Sequence, residues 1–253
     1  MSDCLTPLEL FLESTRGEDK IQNHHRPSSA RIEGEGEVYG ECLLAQYYKW
    51  KGLPPTNPIE LKGLHNFWCG HNYEDAYEKG LQIAKTEYQK EYPFQSDLGL
   101  KNVLSGRLDF VIKTNNHWEG VEIKTAYGQG MTSQKKNGLP KEGYILQMMC
   151  YLEKCPLNLS CIHNPTYARD SFYRLPFELY RNEDGTFAII GNLGEKHIPW
   201  TFEMIKQSWA KLENYLEKEE TPPKDYNIED KKQSWHCKYC AYQNKCWSNN
   251  KGE

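Results

Sequence analysis

Two acidic residues and a lysine fall within one short β-prone stretch, SGRLDFVIKTNNHWEGVEIKTA, which runs from Ser105 to Ala126. The stretch predicts two strands joined by a polar turn. The two-residue period of a strand places Glu122 and Lys124 on one face, and pairing of the strands brings Asp109 close to Glu122. Two adjacent carboxylates repel each other unless a cation lies between them. The pattern therefore predicts a site for a divalent cation.

The donor atoms of this predicted site suit one kind of chemistry. Carboxylate oxygens favour Mg²⁺ or Mn²⁺. Such an ion polarises a phosphodiester and activates water, and an ammonium beside it, here Lys124, holds the attacking water or the developing charge. The residues thus fit hydrolysis of phosphate esters. The alternative is a surface hairpin with an exposed Glu-Lys pair, since the triplet E-x-K is common.

The same residues carry a resemblance to a known family. GRLDFVI followed by VEIKT resembles the core of the PD-(D/E)XK nucleases, specifically their RecB-like branch. The resemblance implies an α/β, restriction-endonuclease-like fold with a mixed central sheet flanked by helices. It also implies Asp109 as the first acid, Glu122 as the second, Lys124 as the catalytic lysine and the backbone carbonyl of Ile123 as a metal ligand.

Two further motifs of this branch appear in the expected order. Gly70-His71 precedes the acids on a predicted helix, and the resemblance implies His71 as a further metal ligand, although His65 is a nearby competitor. Gln147 and Tyr151 match the downstream Q-x-x-x-Y motif. Their i, i+4 spacing puts them on one helical face, where an amide and a phenol could orient DNA or the lysine.

The cysteines predict a second metal site. Nine cysteines without a secretory signal favour metal ligation over a disulfide framework. Cys237, Cys240 and Cys246 supply three thiolates in one short segment, and either a 4Fe-4S cluster or a tetrahedral zinc ion needs a fourth. Chemistry alone leaves several candidates for the fourth ligand, namely Cys4, Cys42, Cys69, Cys150, Cys155 and Cys161.

The resemblance implies a choice among these candidates. A subset of RecB-like nucleases, including the CRISPR-associated four-cysteine exonucleases, has one cysteine before the histidine motif and three near the C-terminus, which together bind a 4Fe-4S cluster. Cys42 stands in that first place. The family often follows it with an arginine, where this chain has Leu43 and Leu44. Zinc remains the alternative, since thiolates alone do not identify their metal.

The elements that must position these residues follow from periodicity and turn signals. Helices are predicted over ECLLAQYYKWKG, from Ile59 to about Tyr92 with a bend near Gly70, over YILQMMCYLEK, and from about Trp200 to Lys218. Short β-prone runs between 158 and 190 extend the sheet. The stretches GEDKIQNHHRPSSARIEGEGE and YGQGMTSQKKNGLPKEG are predicted as loops, the first with His24 and His25 exposed to solvent.

The predicted organisation has three segments. Residues 1–37 form an N-terminal extension and loop, and residues 38–219 form the RecB-like nuclease core. Residues 220–253 form a linker and a C-terminal cysteine cluster that packs back on the N-terminal helix. The fold-class prediction accordingly includes a C-terminal iron-sulfur element.

Composition limits the location and the partners of the protein. The chain is 38% hydrophobic and 26% charged, and it has no run near the ~20 apolar residues of a membrane span. A basic start and an apolar signal core are both missing from MSDCLTPLELFLES, which predicts a cytoplasmic protein. The net charge of -4 does not by itself indicate nucleic-acid binding, yet carboxylates that hold divalent cations present a locally positive site.

The sequence thus predicts a metal-dependent DNA nuclease with Mg²⁺ or Mn²⁺ at its acids and a structural 4Fe-4S cluster. The leading prediction is an exonuclease whose partner is single-stranded DNA or DNA with free ends, working with DNA-processing proteins. One alternative is an endonuclease or end-trimming factor for CRISPR adaptation or recombination. Another, from a different class, is a non-catalytic DNA-binding or redox-sensing module.

Overall fold

The computed structural model describes residues 6–17, 21–34, 36–231 and 233–247. The helices are α1 Pro7–Ser14, α2 Leu43–Trp50, α3 Leu61–Ile83, α4 Gln129–Asn137, α5 Glu142–Lys154, α6 Phe202–Glu217, α7 Ser234–Lys238 and α8 Gln243–Trp247. The strands are β1 Arg31–Gly34, β2 Glu37–Gly40, β3 Tyr88–Ser96, β4 Leu104–Thr114, β5 His117–Val121, β6 Lys124–Ala126, β7 Cys161–His163, β8 Thr166–Ala168, β9 Arg174–Leu175, β10 Glu178–Arg181, β11 Phe187–Gly191 and β12 Gly194–Ile198.

The main sheet has seven strands in the order β12-β11-β10-β7-β5-β4-β3. β5 and β7 are parallel, and the remaining neighbours are antiparallel. A smaller sheet has the order β6-β8-β9, and β1 pairs with β2. The predicted mixed central sheet flanked by helices is confirmed.

The middle of the main sheet is covered on both faces. Phe110 of β4 lies opposite Val121 of β5, and both belong to a buried cluster with Leu81 of α3. Val111, which points the other way, belongs to the main core with Met148 of α5. A one-residue slip of β4 would exchange these two faces, so the register of the strands that carry the acids is strongly specified.

Helix α5 is buried on nearly all sides, as the run YILQMMCYLEK predicts. A helix that is apolar all round belongs in a protein core. Seven of its residues are buried: Ile145, Leu146, Gln147, Met148, Met149, Cys150 and Tyr151. Two of them, Gln147 and Tyr151, carry polar groups that need hydrogen-bond partners inside the core. Gln147 donates to Glu122 and to Tyr151, and Tyr151 donates to the Arg107 carbonyl.

The predicted helix from Ile59 to about Tyr92 is wrong only beyond Ile83 and in its bend near Gly70. Helix α3 runs through Gly70 without a break and ends at Ile83, and Tyr88–Ser96 is a strand. Pro93 is accommodated because β3 is an edge strand of the sheet, where a missing amide donor costs no ladder bond. The stretch after Ala126 also differs from the prediction, since it contains helix α4, which ends at Gly138 in the left-handed conformation.

The exposed position predicted for His25 is wrong. The side chain is fully buried, with ring centroids 5.3 Å from Trp50 and 5.1 Å from Trp209, and its Nε2 lies 3.0 Å from Glu213 Oε1. Arg31, also within the predicted loop, is buried and donates from Nε to Asp225 at 2.8 Å. Contacts with Trp209, Glu213 and Asp225, which are distant in sequence, therefore bury parts of a segment that local composition predicts to be an exposed loop.

Some predictions extend beyond the described residues. The segments 1–37 and 220–253 are described only in part, and Cys4 lies outside the described residues. Among the helices that are described, none is both long and apolar enough to cross a membrane.

Candidate active site

The strand pair β4-β5 brings the two acids together. Because Phe110 lies opposite Val121, the next positions outward belong to Asp109 and Glu122. Asp109 accepts the Ile123 amide through Oδ2 at 2.7 Å. Burial and the Glu122 carboxylate raise the pKa of Asp109 to about 8. A buried acid that holds its proton near neutral pH next to a second acid marks a site that a bound cation would stabilise.

Glu122 is held firmly by one oxygen and leaves the other free. Its Oε1 accepts Lys124 Nζ at 2.6 Å and Gln147 Nε2 at 2.9 Å. Its Oε2 is buried and has no hydrogen-bond partner among the described residues. A buried carboxylate oxygen without a donor is costly. This orphaned oxygen beside Asp109 fits a bound cation, and the all-oxygen donor set fits a hard ion such as Mg²⁺ or Mn²⁺.

Lys124 places its ammonium beside the acids. Burial acts to lower the pKa of Lys124, but the Glu122 carboxylate outweighs it and the net shift is upward. Nζ also lies 5.1 Å from the centroid of the Tyr144 ring, a cation-π contact that favours the charged form. Lys124 therefore remains an ammonium at physiological pH, 20% exposed and open to a substrate.

Gln147 and Tyr151 form a relay that positions Glu122. Gln147 Nε2 donates to Glu122 Oε1 and to the Tyr151 hydroxyl, each at 2.9 Å. The Tyr151 hydroxyl donates in turn to the Arg107 carbonyl at 3.0 Å. Burial raises the pKa of Tyr151 well above its ordinary value, so the phenol stays a neutral donor. The relay joins α5 to β4 and fixes which oxygen of Glu122 remains unpaired.

The backbone around the acids is tied to the loop that follows β7. The Glu122 amide donates to the His163 carbonyl at 2.9 Å, and the Lys124 amide donates to the Pro165 carbonyl at 3.1 Å. Buried Asn164 donates from Nδ2 to the Glu122 carbonyl at 2.7 Å. This role of Asn164 was not predicted, because nothing in its local sequence indicates the contact with Glu122. The Ile123 carbonyl as a metal ligand stays a prediction.

Glu74 of α3 is a third carboxylate near the pair, and it was absent from the predicted site. Burial and Glu122 raise the pKa of Glu74, whereas His71 lowers it, and Glu74 contributes to the raised pKa of Asp109. The signal in the sequence was its spacing of three from His71, which places both on one helical face. His71 itself is exposed, and its role as a ligand stays a prediction. Tyr73 fastens this helix by donating to the Ala168 carbonyl at 2.8 Å.

The predicted cysteine ligands lie around a separate cavity. Cys42, immediately before α2, and Cys237, Cys240 and Cys246 of the C-terminal segment all line it. The cavity holds about 350 Å³ of space that no atom fills, with open solvent at its mouth included. Four other described cysteines lie outside this lining: Cys69, Cys150, Cys155 and Cys161.

An aromatic wall closes one side of the cysteine cavity. His236 stacks on Tyr226 with ring centroids 3.7 Å apart and planes 4° from parallel. Burial lowers the pKa of His236 to about 4, so the imidazole is neutral at physiological pH. Tyr226 donates its hydroxyl to the Gly40 carbonyl at 2.7 Å, which ties the wall to strand β2.

Comparison with known proteins informs the fold. No protein-family model and no curated protein matches the chain. The structure described as the crystal structure of SSO0001 is similar at a TM-score of 0.52 and 14% identity, covering 95% of this chain and 93% of that one. An alkaline exonuclease, LHK-Exo, from Laribacter hongkongensis has a TM-score of 0.40 and 13% identity over 70% of this chain and 76% of its own. Its complex with dAMP has a TM-score of 0.41 and 14% identity, covering 70% of this chain and 78% of that chain. SSO0001 shares the architecture of this chain, and the chemistry of the site follows from the side chains described above.

Proposed function

We propose that the protein is a metal-dependent nuclease of the RecB-like PD-(D/E)XK type, which hydrolyses phosphodiester bonds in DNA. One observation carries the proposal: Glu122 Oε2 is buried without a partner beside Asp109, whose pKa is raised to about 8, with the Lys124 ammonium on the other oxygen of Glu122. Acids in this arrangement need a cation, and the ammonium serves the chemistry of a phosphate ester.

Each residue of the site has a part in this reaction. Asp109 and Glu122 hold the divalent ion, assisted by Glu74, by the predicted ligand His71 and by the Ile123 carbonyl. When bound, Mg²⁺ or Mn²⁺ supplies Lewis-acid polarisation of the phosphate and a lowered pKa of water. Lys124 orients the attacking water and stabilises the charge that develops on the phosphate oxygens. A positioning role falls to the hydrogen-bonded relay on α5, which keeps the second Glu122 oxygen directed to the ion.

A groove that shares Tyr144 with the surroundings of Lys124 supports single-stranded DNA as the proposed substrate, since the Tyr144 ring centroid lies 5.1 Å from Lys124 Nζ. The groove encloses about 1580 Å³ of space that no atom fills, with open solvent included, and Tyr39 and Trp235 are among its other lining residues. Aromatic faces stack unpaired bases regardless of sequence. The lining also includes Glu37, Glu41, Glu142 and Asp230 against Lys141, so the aromatic faces, and not the charge of the groove, support a DNA strand here. We therefore place unpaired bases in this groove and the scissile phosphate at Lys124.

A 4Fe-4S cluster at Cys42 and the three C-terminal cysteines is part of the proposal. It is supported by the shared cavity of these four thiols. A tetrahedral zinc ion with Zn-S bonds of ~2.3 Å brings its thiolates to roughly 3.8 Å from one another. Among the described residues, Glu119, Cys161 and His163 present ligand atoms that all lie within 4.8 Å of one another, whereas no three of these cysteines do. The thiols are therefore not gathered around a single ion, and we assign any cluster there a structural role because hydrolysis transfers no electrons.

End-labelled DNA tests the proposed function. Anaerobically purified protein is incubated with Mn²⁺ and single strands labelled at either end, alongside a circular single strand of the same composition. We expect shortening from an end, an intact circle and no reaction in EDTA. Cleavage of the circle would identify the endonuclease alternative, as in an end-trimming factor for CRISPR adaptation or recombination. Binding of DNA without any cleavage would overturn the proposal in favour of a DNA-binding module.

A further inference from the structure

A second set of metal-type ligands lies on the main sheet, outside the carboxylate site. Glu119 of β5 and Cys161 and His163 of β7 present ligand atoms that are all within 4.8 Å of one another. The parallel register aligns Val121 with His163, and Glu119 and Cys161 each lie two residues earlier, so all these side chains share one face. Glu122 points to the opposite face, so the two sets lie on different faces of the sheet.

The distances from His163 Nε2 to the other two ligand atoms are close to those around a single ion. Cys161 Sγ lies 3.6 Å from His163 Nε2. A tetrahedral ion with Zn-S of ~2.3 Å and Zn-N of ~2.0–2.1 Å separates sulfur from nitrogen by roughly 3.6 Å. Glu119 Oε2 lies 2.9 Å from the same Nε2, against roughly 3.4 Å around such an ion. A shift of about half an ångström in the partly exposed Glu119 carboxylate would therefore bring this oxygen to the separation expected around an ion.

The second nitrogen of His163 has the partner that metal-bound histidines usually have. Glu178 of β10 lies directly across from His163 in the antiparallel register, and its Oε2 is 3.5 Å from His163 Nδ1. A carboxylate on the nitrogen that does not bind the metal fixes the tautomer and orientation of the ring. This leaves Nε2, the atom that faces Cys161 and Glu119, as the ligand atom.

We propose that Glu119, Cys161 and His163 bind a thiophilic divalent transition-metal ion, such as Zn²⁺, with Glu178 as the carboxylate behind the histidine. One sulfur, one imidazole nitrogen and one carboxylate oxygen suit zinc or cobalt and not magnesium. Three protein ligands leave a fourth position for water, and the side chains of His163 and Glu119, 31% and 18% exposed, give an ion access from solvent. Salt bridges from His163 to Glu119 and Glu178 leave the Cys161 thiol without a role. In a metal site the same thiol is a ligand.

The ion would strengthen the strand pair that carries Glu122. The His163 carbonyl accepts the Glu122 amide, so a metal that joins the side chains of β5 and β7 braces this backbone contact. This consequence rests on the proposed function, whereas metal binding itself does not. Because the ion binds the folded state, it also raises the melting temperature by mass action.

Titration with Co²⁺ tests the proposal. The protein is prepared anaerobically with its C-terminal cysteine site intact, and excess Mg²⁺ occupies the carboxylate site. We expect one Co²⁺ per chain with a thiolate charge-transfer band in the near ultraviolet, displaced by Zn²⁺. C161S and H163Q should lose the band and the zinc-dependent rise in melting temperature. C155A, which removes a buried cysteine outside the set, should keep both.

Glu178 supplies a graded arm of the same experiment. E178Q should keep the Co²⁺ band but bind roughly 10- to 100-fold more weakly, the usual cost of removing such a supporting carboxylate. Circular dichroism and the metal-free melting temperature check that each variant is folded. Two folded variants, C161S and H163Q, that bind as much Co²⁺ with the same band as the parent would overturn the site and leave a hydrogen-bonded cluster.

Discussion

The carboxylate site and the cysteine cavity are built in opposite ways. Around the carboxylates, the positions are set by protein contacts: Glu122 is 4% exposed, hydrogen bonded to Lys124 and Gln147, and carried on strands packed between α3 and α5. Around the cysteine cavity, two short helices of five residues each carry Cys237 and Cys246, and Cys240 lies in the turn between them. Within residues 233–247, Ser234 and Tyr242 are the buried residues.

The difference indicates that a bound ion would have a different effect at each site. The carboxylate site is preformed at the expense of buried like charge, so a cation relieves repulsion there. The C-terminal segment joins the fold through one buried aromatic residue, Tyr242, which packs on Tyr48, and through polar contacts such as the Thr56 and Asn57 amides on the Ala241 carbonyl at 2.9 Å each. A group bound by Cys42 and the C-terminal cysteines would therefore contribute to folding there, whereas an ion at the acids contributes to chemistry.

The largest expected effect is on activity at the acids. E122Q should lower cleavage by at least roughly 100-fold, since it removes a ligand charge at the reacting centre. Its metal-free melting temperature should stay close to that of the parent, because the relief of repulsion with Asp109 is offset by the loss of the ion pair with Lys124. Gel assays of end-labelled DNA and thermal unfolding measure the two quantities. E87Q, an exposed acid paired with Lys113, is the control and should cleave normally.

The next effect is on stability at the cysteines. C42A should lose the visible absorbance of the iron-sulfur cluster and destabilise the fold by roughly 2–5 kcal/mol, the cost of losing a cross-link that closes a long loop. C69A, which removes a half-buried cysteine outside the cavity, should keep colour and melting temperature. Iron analysis and thermal unfolding check both variants. A stable C42A protein made from an iron-free parent would contradict the contrast between the two sites.

A smaller effect concerns the pH dependence of the metal-free protein. The pKa of Asp109 rises from 3.8 to about 8 on folding, so the folded state holds a proton that the unfolded state releases between these values. The free energy of unfolding should then fall as pH rises from about 4 to about 8, by at most about 1.4 kcal/mol per unit. D109N should flatten this slope, and Mn²⁺ should stabilise the parent most near pH 8. Denaturant melts in EDTA across the range measure it; an identical slope in D109N would refute the assignment to Asp109.

The smallest effect is expected at the relay on α5. Y151F removes the hydroxyl that accepts from Gln147 and donates to the Arg107 carbonyl, so it should cost about 1 kcal/mol of stability. Activity should fall less than in E122Q, and calorimetric titration should give the Mn²⁺ affinity of the parent. A lost metal site in Y151F would show that the relay belongs to the ligand set and does not merely position it.

The parts of the fold that were predictable are those with strong local patterns. The strands of β4 and β5, the buried helix α5 and the amphipathic helix α6 follow from periodicity alone. Asp109 and Glu122 meet because a short turn pairs β4 with β5. These features depend on residues close in sequence. The prediction of one continuous strand through Lys124 is wrong, because β5 ends at Val121 and Lys124 begins β6 of the smaller sheet.

The features that escaped prediction depend on distant partners. Strand β3 contains Pro93, which an edge position permits. His25 is buried because Trp209 and Glu213 of α6 cover it. Asn164 acquires its role only when β7 pairs in parallel with β5. These contacts join residues that are far apart in sequence, so local periodicity and composition could not predict them.

The dependence of single-turnover cleavage on Mn²⁺ tests the central claim most directly. In the proposed site, Asp109 and Glu122 hold the ion, and Lys124 acts on the phosphate. The parent rate should rise from zero in EDTA to a plateau as Mn²⁺ is added. K124A should reach half of its maximal rate at the same Mn²⁺ concentration as the parent, with a plateau at least roughly 100-fold lower. E122Q should need a far higher Mn²⁺ concentration to reach half of its maximal rate. A parent rate independent of Mn²⁺, or parental curves from both variants, would contradict the assignment of this site.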